Sequence, residues 1–333
     1  MRLQKELLQL LMQYWTSNIF LKVLPIALSR SQFLKIKAAQ QLGMKKENIM
    51  DNIRLGIFPN MNIVKVRVHF DFILDLCRKY NITPVLPEHL AEMYRQEPFT
   101  GRNSQLTAAV SLGGDGTFLR MARDMVKYNV PVFGVNFGHL GFLAEIEYDT
   151  MQQAFQLLTD GRFSIEKRCL LAAQNFAEGK KNPQTELAIN EFVAARRELS
   201  TTNHMELYIN GKPSARYAAD GLIVATATGS TAYSLSAGGP LVQPGMDVMI
   251  ITPICAHSLA TRPLVIPATE EVEIRLLPRN TSPMALSADG VPVCDIGMHD
   301  VVCITKNRQF LRLMRLTDKS YYETWQEKLI HDL

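Results

Sequence analysis

Ala108–Leu112, a run of small and apolar residues, leads directly into Gly113-Gly114-Asp115-Gly116-Thr117, and a helical apolar pattern follows at Phe118, Leu119, Met121, Ala122 and Met125. A strand with no charge on either face belongs inside a sheet covered on both sides. Another apolar run at 130–135 comes after the helix pattern, and runs at 53–58 and 82–86 come before the turn. Strands separated by helical segments predict a parallel α/β sheet. Between 60 and 80 a strand period (Val64, Val66, Val68, Phe70, Phe72) competes with helical spacing (Ile73, Leu76, Cys77, Tyr80). The segment is read as a helix capped by Asn60 or Asn62.

Beyond about residue 150 the pattern changes. One more helix is predicted over 151–158, then strand-like runs at 163–176, 185–195, 205–209, 216–225, 248–251, 272–276 and 301–304. Asn210-Gly211 after the third run is a hairpin signal. The fold class expected is an α/β N-terminal domain, parallel and Rossmann- or phosphofructokinase-like, over 50–150, with a predominantly β domain over 151–315. A short helix at 320–330 would let 316–333 return to the first domain.

Charge divides the chain unevenly. Residues 1–49 hold eight bases and two acids, and the other 284 hold 28 bases and 30 acids. The basic character belongs to an N-terminal extension, so a nucleic-acid binder is excluded as a reading of the body. Five cysteines form no CxxC pair, which suggests neither a disulfide framework nor a zinc site and fits a reducing cytosol. The apolar stretch at 7–21 is interrupted by polar residues and is too short for a membrane span. Residues 1–49 read as an amphipathic extension that meets an acidic partner or membrane surface, an organellar transit-like segment, or an artefact of an upstream start codon, and 50–333 is the expected functional unit.

The glycine turn is the strongest local site. Glycines at a strand end let backbone N–H groups approach an anion, and a helix N-terminus adds a favourable partial charge. Asp115 would repel a phosphate, so it acts on a hydroxyl, helps hold a metal ion, or caps the helix from Thr117. Walker A spacing, GxGxxG and the HRD and DFG motifs are absent. A second feature is the charge-free stretch 221–246, with seven hydroxyl residues between Thr226 and Ser236. It suits either a pocket that orients a polar ligand or a Ser/Thr-rich surface loop. Glu145 and Glu147 read as solvated loop charges, and His139 and His257 as structural.

The ordered set Gly113 to Thr117, Gly138-His139-Leu140-Gly141-Phe142-Leu143, Asn190-Glu191, Asp220-Gly221-Leu222, Thr228 to Tyr233, Thr252-Pro253-Ile254, His257-Ser258-Leu259, Arg262-Pro263 and Asp289-Gly290 resembles the NAD kinase family. The resemblance implies transfer of the terminal phosphoryl group of ATP, or of polyphosphate, to the 2′-hydroxyl of the adenosine ribose of NAD. It implies Asp115 as the base, Gly113, Gly114, Gly116 and Thr117 at the phosphates, and a divalent ion, usually Mg²⁺. Asn190 would hold the adenosine, and Glu191 its ribose or the metal. Thr228, Thr231, Ala232, Tyr233 and Ser236 would line the adenine and ribose end, and Asp220 would meet the nicotinamide end, often across a subunit boundary in a homo-oligomer. Small departures stand at Ala219, Ala225, Ala227 and Ala256. A non-catalytic NAD(P)-binding protein, or a lipid or sugar kinase sharing the turn, is the alternative.

Overall fold

The computed structural model describes residues 52–329, apart from 139–140, 178–179, 182–184, 198–201, 279 and 281–282. The N-terminal extension and His139 therefore lie outside the described residues. The first sheet is built from β1 (Arg54–Pro59), β2 (Thr83–Leu86), β3 (Glu97–Pro98), β4 (Ala108–Leu112), β5 (Val132–Asn136), β6 (Ile146–Glu147) and β7 (Ser164–Arg168), with the late strand Leu311–Arg315 inserted between β5 and β7. Its order runs β3-β2-β1-β4-β5 and then the late strand and β7, parallel except where β7 pairs antiparallel with the late strand. β4 and β5 are buried at every position, as the charge-free runs require.

Helices cover both faces. α1 (Val64–Lys79), α2 (Glu88–Tyr94) and α4 (Met151–Thr159) pack into one apolar cluster with the sheet. α3 (Asp115–Val126) packs into a second, around Phe118, Met121 and Met125. The helical reading of 60–80 is correct. Its buried set, Val66, Phe70, Ile73, Leu74, Leu76 and Cys77, has helical spacing and leaves Val64, Val68 and Phe72 exposed. Neither asparagine caps it, however. The residue before α1 is Ile63, and Asn60 uses its side chain on Asn62 N–H (3.1 Å) and on Thr117 Oγ1 (3.3 Å).

The second half is antiparallel: one sheet runs through Leu171–Ala177, Val301–Lys306, Val272–Leu276 and the hairpin Asn203–Ile209/Lys212–Ala219, and the other through Leu264–Pro267, Val248–Ile254, Gly221–Thr226, Glu191–Arg196, Met284–Ala288 and Val291–Ile296. Residues of both sheets share one apolar core, so the pair forms a sandwich. Asn210 and Gly211 turn the hairpin with φ of 50° and 71°, the positive pair that an Asn-Gly turn supplies. The strand-like run 163–176 is two strands in different sheets, because the chain crosses at 169–170 from the first sheet to the sandwich. α5 (Tyr233–Ser236) is a single turn, and α6 (Tyr321–Leu329) closes the described chain. Among the described residues no helix is long and apolar enough to cross a membrane.

Candidate active site

The glycine turn lies where the first sheet changes direction. From β1 the chain builds outward through β2 and β3, then returns to β4 on the other side of β1, with Pro59 opposite Leu112 at the strand ends. Such a switch point opens a crevice at the carboxyl ends of the strands. A groove of about 350 Å³ occupies it, lined by Phe58, Asn60, Asn62, His89, Thr117 and Arg120. A Cβ built on Gly114 or Gly116 would meet no atom within 4 Å, so the turn is open on its outer side.

Asp115 stands in the first turn of α3 and does not cap it. Its Oδ2 accepts the Phe142 N–H (2.8 Å), and its Oδ1 accepts the N–H groups of Leu143 (3.1 Å) and Ala144 (2.9 Å). The carboxylate thus holds the loop after β5 against the glycine turn. Gly141 makes this approach possible, since a Cβ there would stand 1.9 Å from Asp115 Oδ1.

A second carboxylate does the same for Asn190 and Glu191. Asp289 has a side chain only 1% exposed; its Oδ1 accepts from Asn190 N (2.7 Å) and Glu191 N (3.2 Å), and its Oδ2 from Ile189 N (3.0 Å) and Arg123 (3.0 Å). Arg123 belongs to α3, so one ion pair ties the helix that starts at Asp115 to the turn that carries Asn190. Phe118, Leu143 and Ile189 share the apolar cluster beneath. The sequence reading gave neither Asp289 nor Arg123 a role. The available signal was Asp289-Gly290 as a hairpin turn: both residues have positive φ between Met284–Ala288 and Val291–Ile296.

Two buried polar atoms in this turn, Asn190 Oδ1 and Glu191 Oε2, have no hydrogen-bond partner among the described residues. Burial, reinforced by Asp289, pushes the Glu191 carboxyl up to about 8, against a hydrogen bond from the Tyr233 backbone. A carboxyl that holds its proton at neutral pH is a hydrogen-bond donor and a poor ligand for a hard cation. This favours the ribose role of Glu191 over the metal role.

The hydroxyl-rich segment is adjacent, because Thr226 N donates to Asn190 O (2.8 Å) and a Cβ on Gly229 would stand 2.3 Å from that same carbonyl. Most of its hydroxyls are committed internally. Thr226 donates to Ile189 O (2.8 Å), Ser230 bridges to Val242, Thr231 donates to Thr228 O (3.3 Å), and Ser234 bonds Thr252 (2.8 Å). Thr228 Oγ1 accepts from Arg168 (3.3 Å). Tyr233 and Ser236 are exposed, and Ala232 is half-buried between them and the turn. Ala225 and Ala227 are buried with Val242 on the outer face of the sheet, which explains small residues there.

Asp220 is not brought to this group. It pairs with Arg196 (2.9 Å) at the opposite end of the strand pair in which Glu191 faces Ala225, about 17 Å away at the rise of a strand.

Glu145 corrects the expectation of a solvated charge, while Glu147 is exposed as expected. The Glu145 side chain is 10% exposed and lies 3.0 Å from Arg315, whose guanidinium approaches Glu166 at 3.6 Å. Arg168, 2% exposed, reaches Glu166 (3.1 Å) and the Tyr321 hydroxyl, which itself donates to Glu166. Both guanidinium groups stack over the Tyr321 ring, at 4.9 and 4.6 Å. Spacing could not reveal this, because its members come from four separate chain segments. Burial pushes Glu145 up to about 7, opposed first by Arg315.

These two carboxyls give a pH prediction. Between their ordinary value of 4.5 and about 8 the folded chain holds protons that the unfolded chain has released, so stability falls as pH rises through that window and levels off above it. Each contributes a slope of up to roughly 1.4 kcal/mol per pH unit. Urea midpoints of the parent should therefore fall from pH 5 to pH 8, and Glu191→Gln should flatten the decline up to about 8. Equal slopes in parent and variant would refute the buried neutral carboxyl.

Among the described residues no three His, Cys, Asp or Glu side chains converge to hold a metal. Asp115 and Asp289 spend their oxygens on backbone N–H groups. This donor set does not make a cage for a resident ion. It fits a divalent cation carried in on phosphate oxygens, which Mg²⁺ accepts while keeping most of its water.

Comparison with known proteins gives the family. Residues 72–163 match the family described as the ATP-NAD kinase N-terminal domain, and residues 189–316 match the ATP-NAD kinase C-terminal domain. An NAD kinase of Clostridium botulinum is 42% identical over 224 residues, covering 67% of this chain and 78% of the relative. One from Moorella thermoacetica is 37% identical over 279 residues, 83% and 89% of the two chains. Among solved structures, yeast NADH kinase complexed with NADH superposes with a TM-score of 0.75 at 25% identity over 84% of this chain and 88% of that one. An Archaeoglobus fulgidus NAD kinase in complex with ATP, at 22% identity and a TM-score of 0.65 over 83% and 98%, shares the fold.

Proposed function

This chain belongs to the ATP-NAD kinase family, and we propose from that premise how its own residues carry the reaction. Its activity is that of an NAD kinase, a phosphotransferase acting on NAD. The donor is ATP, with its phosphates over Gly113, Gly114, Gly116 and Thr117 and its nucleoside in the switch-point groove. A divalent ion bound to those phosphates offsets part of their charge. The acceptor is the 2′-hydroxyl of the adenosine ribose. Asp115 takes the proton of that hydroxyl as the oxygen attacks the γ-phosphorus, the bond from γ-phosphorus to the bridging oxygen breaks, and ADP leaves with that electron pair.

The observation that carries this reading is the pair of buried, unpartnered atoms, Asn190 Oδ1 and Glu191 Oε2, beside Tyr233 and across a shared apolar cluster from the glycine turn. Leaving such atoms unsatisfied costs about 1–3 kcal/mol each, and the amine and hydroxyls of an adenosine satisfy both. The internal hydroxyl bonds of Thr226, Ser230, Thr231 and Ser234 keep the turn in the shape that receives it, while Thr228, Thr231, Ala232, Tyr233 and Ser236 face the ligand's adenine and ribose. A neighbouring copy in a homo-oligomer brings Asp220 to the nicotinamide end, which accounts for its separation within one chain. Five unpaired cysteines suit a reducing cytoplasm. Residues 50–333 are the functional unit in this reading, and the boundary expected at 150 and 315 moves: the chain stays with the first sheet through Arg168 and rejoins it at Leu311.

The test is direct. The purified chain with ATP, Mg²⁺ and NAD should form NADP. Running polyphosphate in place of ATP and NADH in place of NAD identifies the donor and acceptor. Retention of NAD without turnover under every donor would favour a binding protein over an enzyme.

A further inference from the structure

We propose that Lys328, on the last helix, is a catalytic residue that contacts the phosphoryl group in transit at Asp115. This rests on the reading of Asp115 given above. Tyr321 opens the helix and is locked by Arg168, Glu166 and Arg315, and Arg168 also reaches Thr228 in the hydroxyl-rich turn. Lys328 follows seven residues later, on the same face two turns along, about 10 Å at the helical rise. Its Nζ stands 4.0 Å from the centre of the Phe142 ring. Phe142 is the residue whose N–H donates to Asp115 Oδ2. The C-terminal helix therefore delivers an ammonium group to the loop that Asp115 holds.

That ammonium is short of negative charge. No described carboxylate lies within ion-pair distance of it, whereas Lys319 on the same segment pairs with Glu327. Half-burial lowers the pKa of Lys328 below the ordinary lysine value, and the acidic group that most opposes this is Asp115, ahead of Glu145. A partly desolvated cation beside an aromatic face and a glycine turn open to solvent is stabilised by the arrival of an anion. The transferring group carries its charge on three equatorial oxygens. The glycine N–H groups approach it from the turn side, and Lys328 approaches from the Phe142 side. Asp115 receives the ribose proton, so the lysine keeps its own throughout.

The experiment uses the full chain and compares Lys328→Met and Lys328→Arg with the parent. Three measurements are made: NADP formation from MgATP and NAD, binding of inorganic tripolyphosphate, and hydrogen-exchange protection of the amides at 321–329. Lys328→Met should lower kcat about 100-fold, the scale of losing one preorganised donor to developing charge. The KM for NAD should stay within twofold, tripolyphosphate binding should weaken about tenfold, and helix protection should be unchanged. Lys328→Arg should recover at least a tenth of the lost turnover. A Lys328→Met kcat within threefold of the parent overturns the proposal, and so does a loss that tracks lost protection of the helix. Tripolyphosphate binding that depends on Lys328 in a chain that forms no NADP would overturn the catalytic role together with the parent reading and leave a phosphate contact alone, whereas an unchanged Lys328→Met kcat in a chain that does form NADP overturns this inference and spares the parent reading.

Discussion

Asp115→Asn lowers kcat for NADP formation by about 10³-fold, in the range expected when a general base is removed, while NAD binding changes little. The structure adds a complication that sequence reasoning could not foresee. Asp115 already accepts three backbone N–H groups. An asparagine must aim its amide nitrogen either at Phe142 N–H or at the pair from Leu143 and Ala144, so donor faces donor and the loop loosens. Turnover measured beside NAD affinity separates the two roles. Loss of kcat at constant affinity identifies the base, whereas parallel loss of both identifies a loop anchor. Gly141→Ala gives an independent view, since it keeps the carboxylate but places a Cβ 1.9 Å from Asp115 Oδ1. It should cost at least as much turnover. An Asp115→Asn protein within tenfold of the parent kcat would remove Asp115 from the chemistry.

Asp289→Ala gives the largest expected loss of stability. The carboxylate is fully enclosed, serves three consecutive N–H groups and pairs with Arg123. Its removal leaves three N–H donors without that acceptor and takes from Arg123 its carboxylate partner, leaving it the Ala288 carbonyl (3.1 Å). Breaking a buried pair from one side costs about 3–5 kcal/mol, and the lower figure applies because Arg123 is 24% exposed and regains some water. The KM for NAD should rise as well, since the same bonds shape the turn of Asn190 and Glu191. Urea denaturation checks the first effect and steady-state kinetics the second. A destabilisation below about 1 kcal/mol would show that the turn holds its shape without Asp289.

Legibility followed the range of the interactions. The unit from β4 through the glycine turn into α3 was readable, because a charge-free strand, a tight turn and a helical apolar face are each encoded within a few neighbouring residues. The Asn210-Gly211 hairpin was readable for the same reason. The sandwich strands Leu264–Pro267, Met284–Ala288 and Val291–Ile296 went unread, as did the late strand of the first sheet. Their alternation is short, and Met284–Ala288 and the late strand find their inner neighbours, Glu191–Arg196 and Val132–Asn136, far away in the chain. The cap expected at Asn60 failed because the helix starts later, after Ile63, while the Asn60 amide is taken by Asn62 N–H and by Thr117, 57 residues on. Glu145 was misread because nothing near it in sequence reveals Arg315.

By itself the sequence determined the kind of chemistry: an α/β half ending in a glycine turn with one carboxylate, a β half, an Asn-Glu pair and a charge-free segment rich in hydroxyls, in the order that resembles one kinase family. Only the tertiary structure decided how those parts are held. Asp115 meets residues 142–144, Asp289 meets 189–191, and Tyr321 gathers two arginines so that Lys328 reaches Phe142. Hydrophobic period and turn chemistry are local and repeat, so they can be read along a chain. A buried charge is stabilised by whichever partner folding brings to it, and that partner can lie 100 residues away.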